Sequence, residues 1–307
     1  MDRDDALRRR RAAQRRRSSR RRRLVAAGTL GALLALVGVL TAGGEDPPAG
    51  TAARESTLTA VSVARPIMRA APIAEMPGAH LAPREPVPIL MYHVIGRTTP
   101  GTPLKLLWVS PEEFTREVRA LKRRGYNAVT LRQVWKAWHH GGKLPRKPIV
   151  FTFDDGSRGH VTHALAILRR AGWAGVLNLT LKNLRDMGGS RAVRRMIRAG
   201  WEVESHTLSH QDLTTLSAAD LRREVAGSRT RLRRLFGVPV SFFCYPSGTY
   251  DDAVIAALRD AGYRAATTVQ PGWASPDAPF TLPRVRVDGG MGAAALLQRI
   301  SEQRPPG

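Results

Sequence analysis

Residues 149–160 read IVFTFDDGSRGH. Five residues that favour strands lead straight into two adjacent acids, a glycine and a polar run. An apolar run this short, ending this abruptly, reads as the buried strand of a parallel sheet. The acids raise a question, because neighbouring carboxylates push up each other's pKa unless something cationic lies beside them. A solvated Asp-Asp-Gly turn is one answer. A metal site with a base next to it is the other.

On both sides of this stretch, strands and helices alternate. VPILMYH (87–93) is of strand type. SPEEFTREVRALKRRG (110–125) is a helix with Ser110 as N-cap, Pro111 at its first position, Glu113 closing a capping box and Gly125 as its stop. NAVT and a helical LRQVWKAW follow. After the central strand come a helix ending at Gly172, the strand AGVLNL, a helix ending at Gly200, and the strand EVES. A long helix then runs from the cap Ser217 to the stop Gly237, followed by VSFFCY, the helix DDAVIAALRDAG, the strand YRAATTV and an extended FTLPRVRV. This order predicts an α/β fold whose parallel sheet closes into an irregular (β/α)7-type barrel. In such barrels chemistry sits where strands end. His93, Asp154, Asp155, His206, Tyr245, Pro246 and the Pro271–Gly272–Trp273 turn should then share one face.

With 307 residues, of which 43% are hydrophobic, the chain has room for one such domain plus appendages. The net charge of +24 is uneven: residues 1–23 hold 12 Arg against three Asp, residues 24–44 are uncharged, and +15 remains on the rest. As a helix, the 21 residues of 24–44 would be about 31 Å long, matching a bilayer core. Residues 1–23 are therefore read as a cytoplasmic tail, 24–44 as a transmembrane signal-anchor, 45–86 as a disordered Pro/Ala-rich linker and 87–307 as the catalytic domain. The positive-inside bias places that domain outside the plasma membrane on a single-pass anchor. A cleaved signal peptide, giving a secreted protein, is the rival reading. The basic segment points to anionic lipid rather than nucleic acid, and the remaining +15 suits anionic envelope polymers. The single cysteine, Cys244, excludes an intramolecular disulfide and a cysteine cage for a metal.

Two of the eight histidines, His206 and His210 of SHTLSH, have a spacing that suits two imidazoles on one metal, although solvated or helix-capping histidines share that spacing. A carboxylate from another strand end would complete a two-His, one-carboxylate set with positions open for water and substrate. One Asp of the pair then serves as ligand and the other is free to take a proton.

TFDDG, HTLSH and YPSG, in this order, resemble the NodB-homology polysaccharide deacetylases, carbohydrate esterase family 4. The opening ILMYHVIG and the closing LPRVRV look like the exported, cell-surface branch. The likeness runs from Pro88 to Gln303. It implies a distorted barrel, a divalent metal (zinc, with cobalt, nickel or manganese as alternatives) and removal of N-acetyl groups from an amino-sugar polymer. It makes Asp154 the base and Asp155, His206 and His210 the ligands. Two departures stand out. Cys244 and Ser247 occupy the Arg and Tyr positions of the third motif, so Arg284 is expected to stand in for the Arg, and the Ser247 N–H to serve the oxyanion. Val285 replaces the His of the last motif, and no His follows His210. His93 is therefore expected either to donate the proton or to orient Asp154. Tyr245, Pro246, Trp273 and Leu282 are expected to bind substrate, with core packing as the alternative for Trp273. The rival functions are an O-acetyl esterase and a weakened glycan-binding relative.

Overall fold

The computed structural model describes residues 84–306. The expected tail, apolar run and nearly all of the linker lie outside the described residues. Among the described residues no helix is long and apolar enough to cross a membrane.

The strands are β1 (Ile89–Tyr92), β2 (Val94–Ile95), β3 (Trp108–Val109), β4 (Asn127–Ala128), β5 (Pro148–Phe153), β6 (Val176–Leu179), β7 (Glu202–Ser205), β8 (Phe242–Cys244), β9 (Ala265–Thr267) and β10 (Val285–Arg286). The helices are α1 (Pro111–Arg123), α2 (Leu131–His140), α3 (Leu165–Arg170), α4 (Gly189–Arg198), α5 (Ala218–Arg222), α6 (Ser228–Phe236), α7 (Asp252–Asp260) and α8 (Gly292–Glu302). The main sheet is parallel and curled, in the order β10-β1-β5-β6-β7-β8-β9, with β4 beside β5. The segment leading into β10 joins the two edges. Leu282 exchanges backbone hydrogen bonds with Ala266 and Thr268 beside β9, while Val285 and Arg286 pair with β1.

Strand periodicity sorts the side chains. Leu90, Tyr92, Phe151, Phe153, Leu177, Phe243 and Val285 pack outward in one cluster with the helix residues Phe114, Leu168, Leu232 and Leu296. The intervening Ile89, Val150, Val176, Phe242 and Ala265 pack with Leu131, Val134 and Trp138 of α2, which closes the floor of the curl. Continued towards the strand ends, this inner parity reaches Thr152, Asp154, Asn178, Glu204, His206 and Cys244. Tyr92 sits edge-on to Phe114 at 5.1 Å and stacks on Phe153 at 5.5 Å. Each such pair contributes about 0.5–1.5 kcal/mol beyond area burial, so the strand that delivers Asp154 is held firmly from behind.

Two local readings need correction. The Ser110 hydroxyl does cap α1, accepting the Glu113 N–H at 3.2 Å, but the Glu113 carboxylate does not close the box. It accepts the Gly292 N–H instead, at the start of α8. The complete box belongs to α2, between Thr130 and Gln133. Helix α8 itself was absent from the sequence reading, because Gly292 opens it and no side chain caps it.

Candidate active site

The two neighbouring acids face different partners because the chain turns sharply between them. Asp154 keeps the inner parity of β5. Asp155 has φ +70°, in the left-handed region, which swings its carboxylate out of line. Gly156 follows at φ +93°, where a Cβ would lie 2.6 Å from Leu179 Cδ1, so no side chain fits the turn. The Asp155 carbonyl is held by the Asn183 amide at 3.0 Å.

Asp155 Oδ1 lies 3.5 Å from His206 Nε2 and 3.4 Å from His210 Nε2, and the three ligand atoms fall within 4.8 Å of one another. His206 follows β7 and is buried. Its Nδ1 donates to the Cys244 carbonyl at 2.7 Å, which leaves the Nε2 lone pair facing the other two donors. Burial disfavours a charged imidazole. Even so, contact with Cys244, Asp155 and Asp154 holds His206 well above its usual pKa, so the surroundings favour positive charge at this point. The donor set, its tautomer and this preference all fit a divalent cation. A second set, Asp154 with His206 and Cys244, is as close together. It fits worse, because Asp154 is already occupied.

Asp154 is buried. Burial alone would raise its pKa, but the Arg284 guanidinium, with His206 and His93 nearby, holds it well below the usual carboxylate range. Arg284 forms a two-pronged contact, Nη1 to Oδ1 at 2.9 Å and Nη2 to Oδ2 at 2.8 Å. It is itself fixed through Nη1 to the Thr152 hydroxyl at 3.0 Å and through Nε to the Thr268 carbonyl at 2.7 Å. Asn178 donates to Asp154 Oδ1 at 2.8 Å and the Cys244 thiol lies 3.5 Å from Oδ2. His93 Nε2 is 3.9 Å from Oδ2. Burial lowers the His93 pKa. Its Nδ1 is buried without a hydrogen-bond partner, and its carbonyl accepts from His160 Nε2. That contact needs a close approach at Gly159, where a Cβ would collide with the Ile95 carbonyl.

Of the seven non-glycine residues with positive φ among the described residues, four lie here: Asp155, Thr207, His210 and Ser247. Each costs on the order of 1–3 kcal/mol and persists only where its surroundings fix it. Ser247 is the exposed corner of a single turn after β8, at φ 54°.

The remaining expected residues divide. Tyr245 and Pro246 follow β8 but are buried; the Tyr245 hydroxyl donates to the Phe280 carbonyl and its ring stacks on Tyr250. Leu282 pairs through its backbone with Thr267 at the end of β9. It is buried in the inner apolar cluster with Ile89 and Val150. Trp273 is not brought to the site. Its neighbour Ala274 pairs antiparallel with Val87, at the opposite end of β1 from His93, and its indole donates to Ile300 of α8. The sequence reading missed Thr152, Asn178 and His160. The first two carried a signal: they are polar residues at the inner parity of otherwise apolar strands.

Residues 141–266 match the polysaccharide deacetylase family model. The match includes Asp154, Asp155, His206 and His210 but neither His93 nor Arg284. The chain is 28% identical over 221 residues to YxkH of Bacillus subtilis, a candidate polysaccharide deacetylase, covering 71% of this chain and 77% of that protein. It is 26% identical to the poly-beta-1,6-N-acetyl-D-glucosamine N-deacetylase of Escherichia coli, covering 59% of this chain and 34% of that one. The structure resembles that of the Streptococcus pyogenes deacetylase PplD in complex with acetate. The TM-score is 0.65 and the identity 25%, over 71% of this chain and 99% of that one.

Proposed function

This chain carries a polysaccharide deacetylase domain, and from that premise we propose that it is a metal-dependent hydrolase removing N-acetyl groups from an amino-sugar polymer. The observation that carries the reading is Asp154, paired with Arg284 and held by Asn178, standing beside an Asp155–His206–His210 set that it does not join. A module that only binds glycan has no use for such a base. The N-acetyl preference draws on the Escherichia coli relative, which is named for that reaction.

A divalent ion, zinc by expectation, would be held by Asp155, His206 and His210, and would polarise the acetyl carbonyl and acidify water. Asp154 takes the proton from the attacking water. Its pairing with Arg284 favours the ionised form, so the proton is passed on. His93 Nε2, 3.9 Å from Asp154 Oδ2, starts neutral, because burial lowers its pKa, and can take the proton. Passing the proton from Asp154 through His93 to the departing amine balances the cycle: one proton leaves water and one reaches nitrogen. The backbone N–H of Ser247 is assigned to the developing oxyanion. We further place the domain outside the plasma membrane, tethered by residues 24–44. Mass spectrometry of membrane-extracted protein should find that segment present, and a mature terminus near Gly44 would contradict it.

The function is tested by incubating metal-loaded full-length protein with N-acetylglucosamine oligomers, peptidoglycan and acetylated xylan, and measuring amine and acetate. Equal release of amine and acetate supports the proposal. Acetate without amine identifies an O-acetyl esterase, and no release from any of them rejects a deacetylase.

A further inference from the structure

The loop bearing both histidine ligands begins and ends in a conformation that its residues resist. Thr207 has φ +72° and His210 φ +60°, and Thr207 is β-branched, which makes the left-handed region especially unfavourable. The Thr207 hydroxyl accepts the His210 N–H at 2.8 Å, but that contact lies within the loop. Something outside it must hold the two residues between.

That group is Glu224. Its Oε2 accepts the backbone N–H of Leu208 at 2.9 Å and that of Ser209 at 3.0 Å, and its Oε1 accepts the Ser209 hydroxyl at 2.5 Å. Glu224 is 3% exposed and forms no ion pair among the described residues. It interrupts the buried stripe Leu221, Val225 and Leu232, where an apolar residue would be the ordinary occupant. It lies in a π-helical turn, Arg223–Gly227, between α5 and α6. Such turns are uncommon and concentrate at functional sites. A buried carboxylate without a cation is costly unless hydrogen bonds satisfy it, and the hydrogen bonds here come chiefly from the ligand loop.

We propose that Glu224 is a positioning residue for the metal centre, clamping the backbone between His206 and His210 so that both imidazoles converge with Asp155. The inference rests on those three residues being the metal site. Outer residues of this kind typically change metal affinity by about 10–100-fold.

The test measures zinc affinity of the metal-free full-length chain by competition with a chromophoric chelator, at a temperature where each protein is folded by circular dichroism. Glu224→Gln, which keeps the shape but loses the charge and one acceptor, should bind zinc at least about tenfold more weakly than wild type. Ser209→Ala removes one of the three loop contacts to Glu224, together with the bond the hydroxyl accepts from Gln211 Nε2, and should weaken binding by a few-fold. A purely structural Glu224 would lower the melting temperature of the metal-free chain and leave the dissociation constant alone. Zinc affinity of Glu224→Gln within twofold of wild type would therefore overturn the proposal. If that variant does not fold, Ser209→Ala decides: weaker binding supports the clamp and unchanged binding rejects it. A wild-type chain that takes up no zinc would reject the metal site itself, and the clamp with it.

Discussion

Two acids line the inner side of the same curled sheet, Asp154 on β5 and Glu204 on β7, both buried, and burial pushes both towards protonation. Glu204 accepts the backbone N–H groups of Ser241 and Phe242 at 2.7 and 2.8 Å and forms no ion pair among the described residues. Burial, reinforced by Glu202, drives its carboxyl well above the usual range. At the mouth, Asp154 receives a guanidinium and falls well below that range. Neutral donors reach both acids. The difference is Arg284, which crosses from the segment joining the two sheet edges. Depth sets how much a charge costs inside this protein, and the nearest cation sets whether it exists.

Removing that cation should have the largest effect. Arg284→Leu leaves Asp154 buried and unpaired and should lower unfolding free energy by about 3–5 kcal/mol in urea titrations. The loss should shrink in an Asp154→Asn background, where no charge is stranded. Equal losses in both backgrounds would mean that Arg284 acts through packing alone.

The same physics operates on the outer face, where Glu117 accepts the Tyr92 hydroxyl at 2.9 Å and leaves its other oxygen unpartnered. Burial, opposed by Tyr92, raises its pKa from 4.5 to about 7. A raised acid binds its proton more tightly in the folded state. Its contribution to stability is therefore intact below the unfolded pKa and lost as pH rises through the folded one. Wild-type stability should therefore fall by about 3 kcal/mol relative to that of Glu117→Gln between about pH 4.5 and 7. Melting curves across this range check it; an unchanged slope would assign the titration elsewhere.

His93→Ala comes next, with turnover reduced about tenfold or more and metal content unchanged. If His93 delivers the proton, amide substrates should suffer far more than activated aryl acetates, whose leaving groups need none. Equal losses would reduce His93 to orienting Asp154. Smallest of all should be Glu204→Gln, which keeps an acceptor for Ser241 and Phe242. Because a raised acid loses its contribution as pH rises, the variant should be more stable relative to wild type at about pH 8 than at about pH 5. A loss that grows with pH would contradict a raised Glu204.

The sheet and the mouth were largely legible in the sequence, because a strand's alternation shows which residues share a face. TFDD and EVESH put Asp154 and His206 on the inner side before any contact is known. Contacts set by long-range return of the chain were not legible. Trp273 follows a strand, yet an antiparallel bridge at Ala274 carries it to the far end. Leu282 sits in a sequence that resembles a binding motif, yet its backbone serves β9 and its side chain fills the interior. Glu113 stands three residues after a serine cap and still turns to α8, whose start carries no capping signal. Glu224 was readable in principle, as a charge inside an apolar helical stripe, but its partner loop had first to be placed above it.

The most direct test of the account compares wild type and Asp154→Asn, with zinc content and amine release from N-acetylglucosamine oligomers measured on the same samples. About one zinc per chain is expected in both, and at least about a hundredfold less amine from the variant. Near-normal amine release by Asp154→Asn, or loss of its zinc, would contradict the division of the two acids into base and ligand.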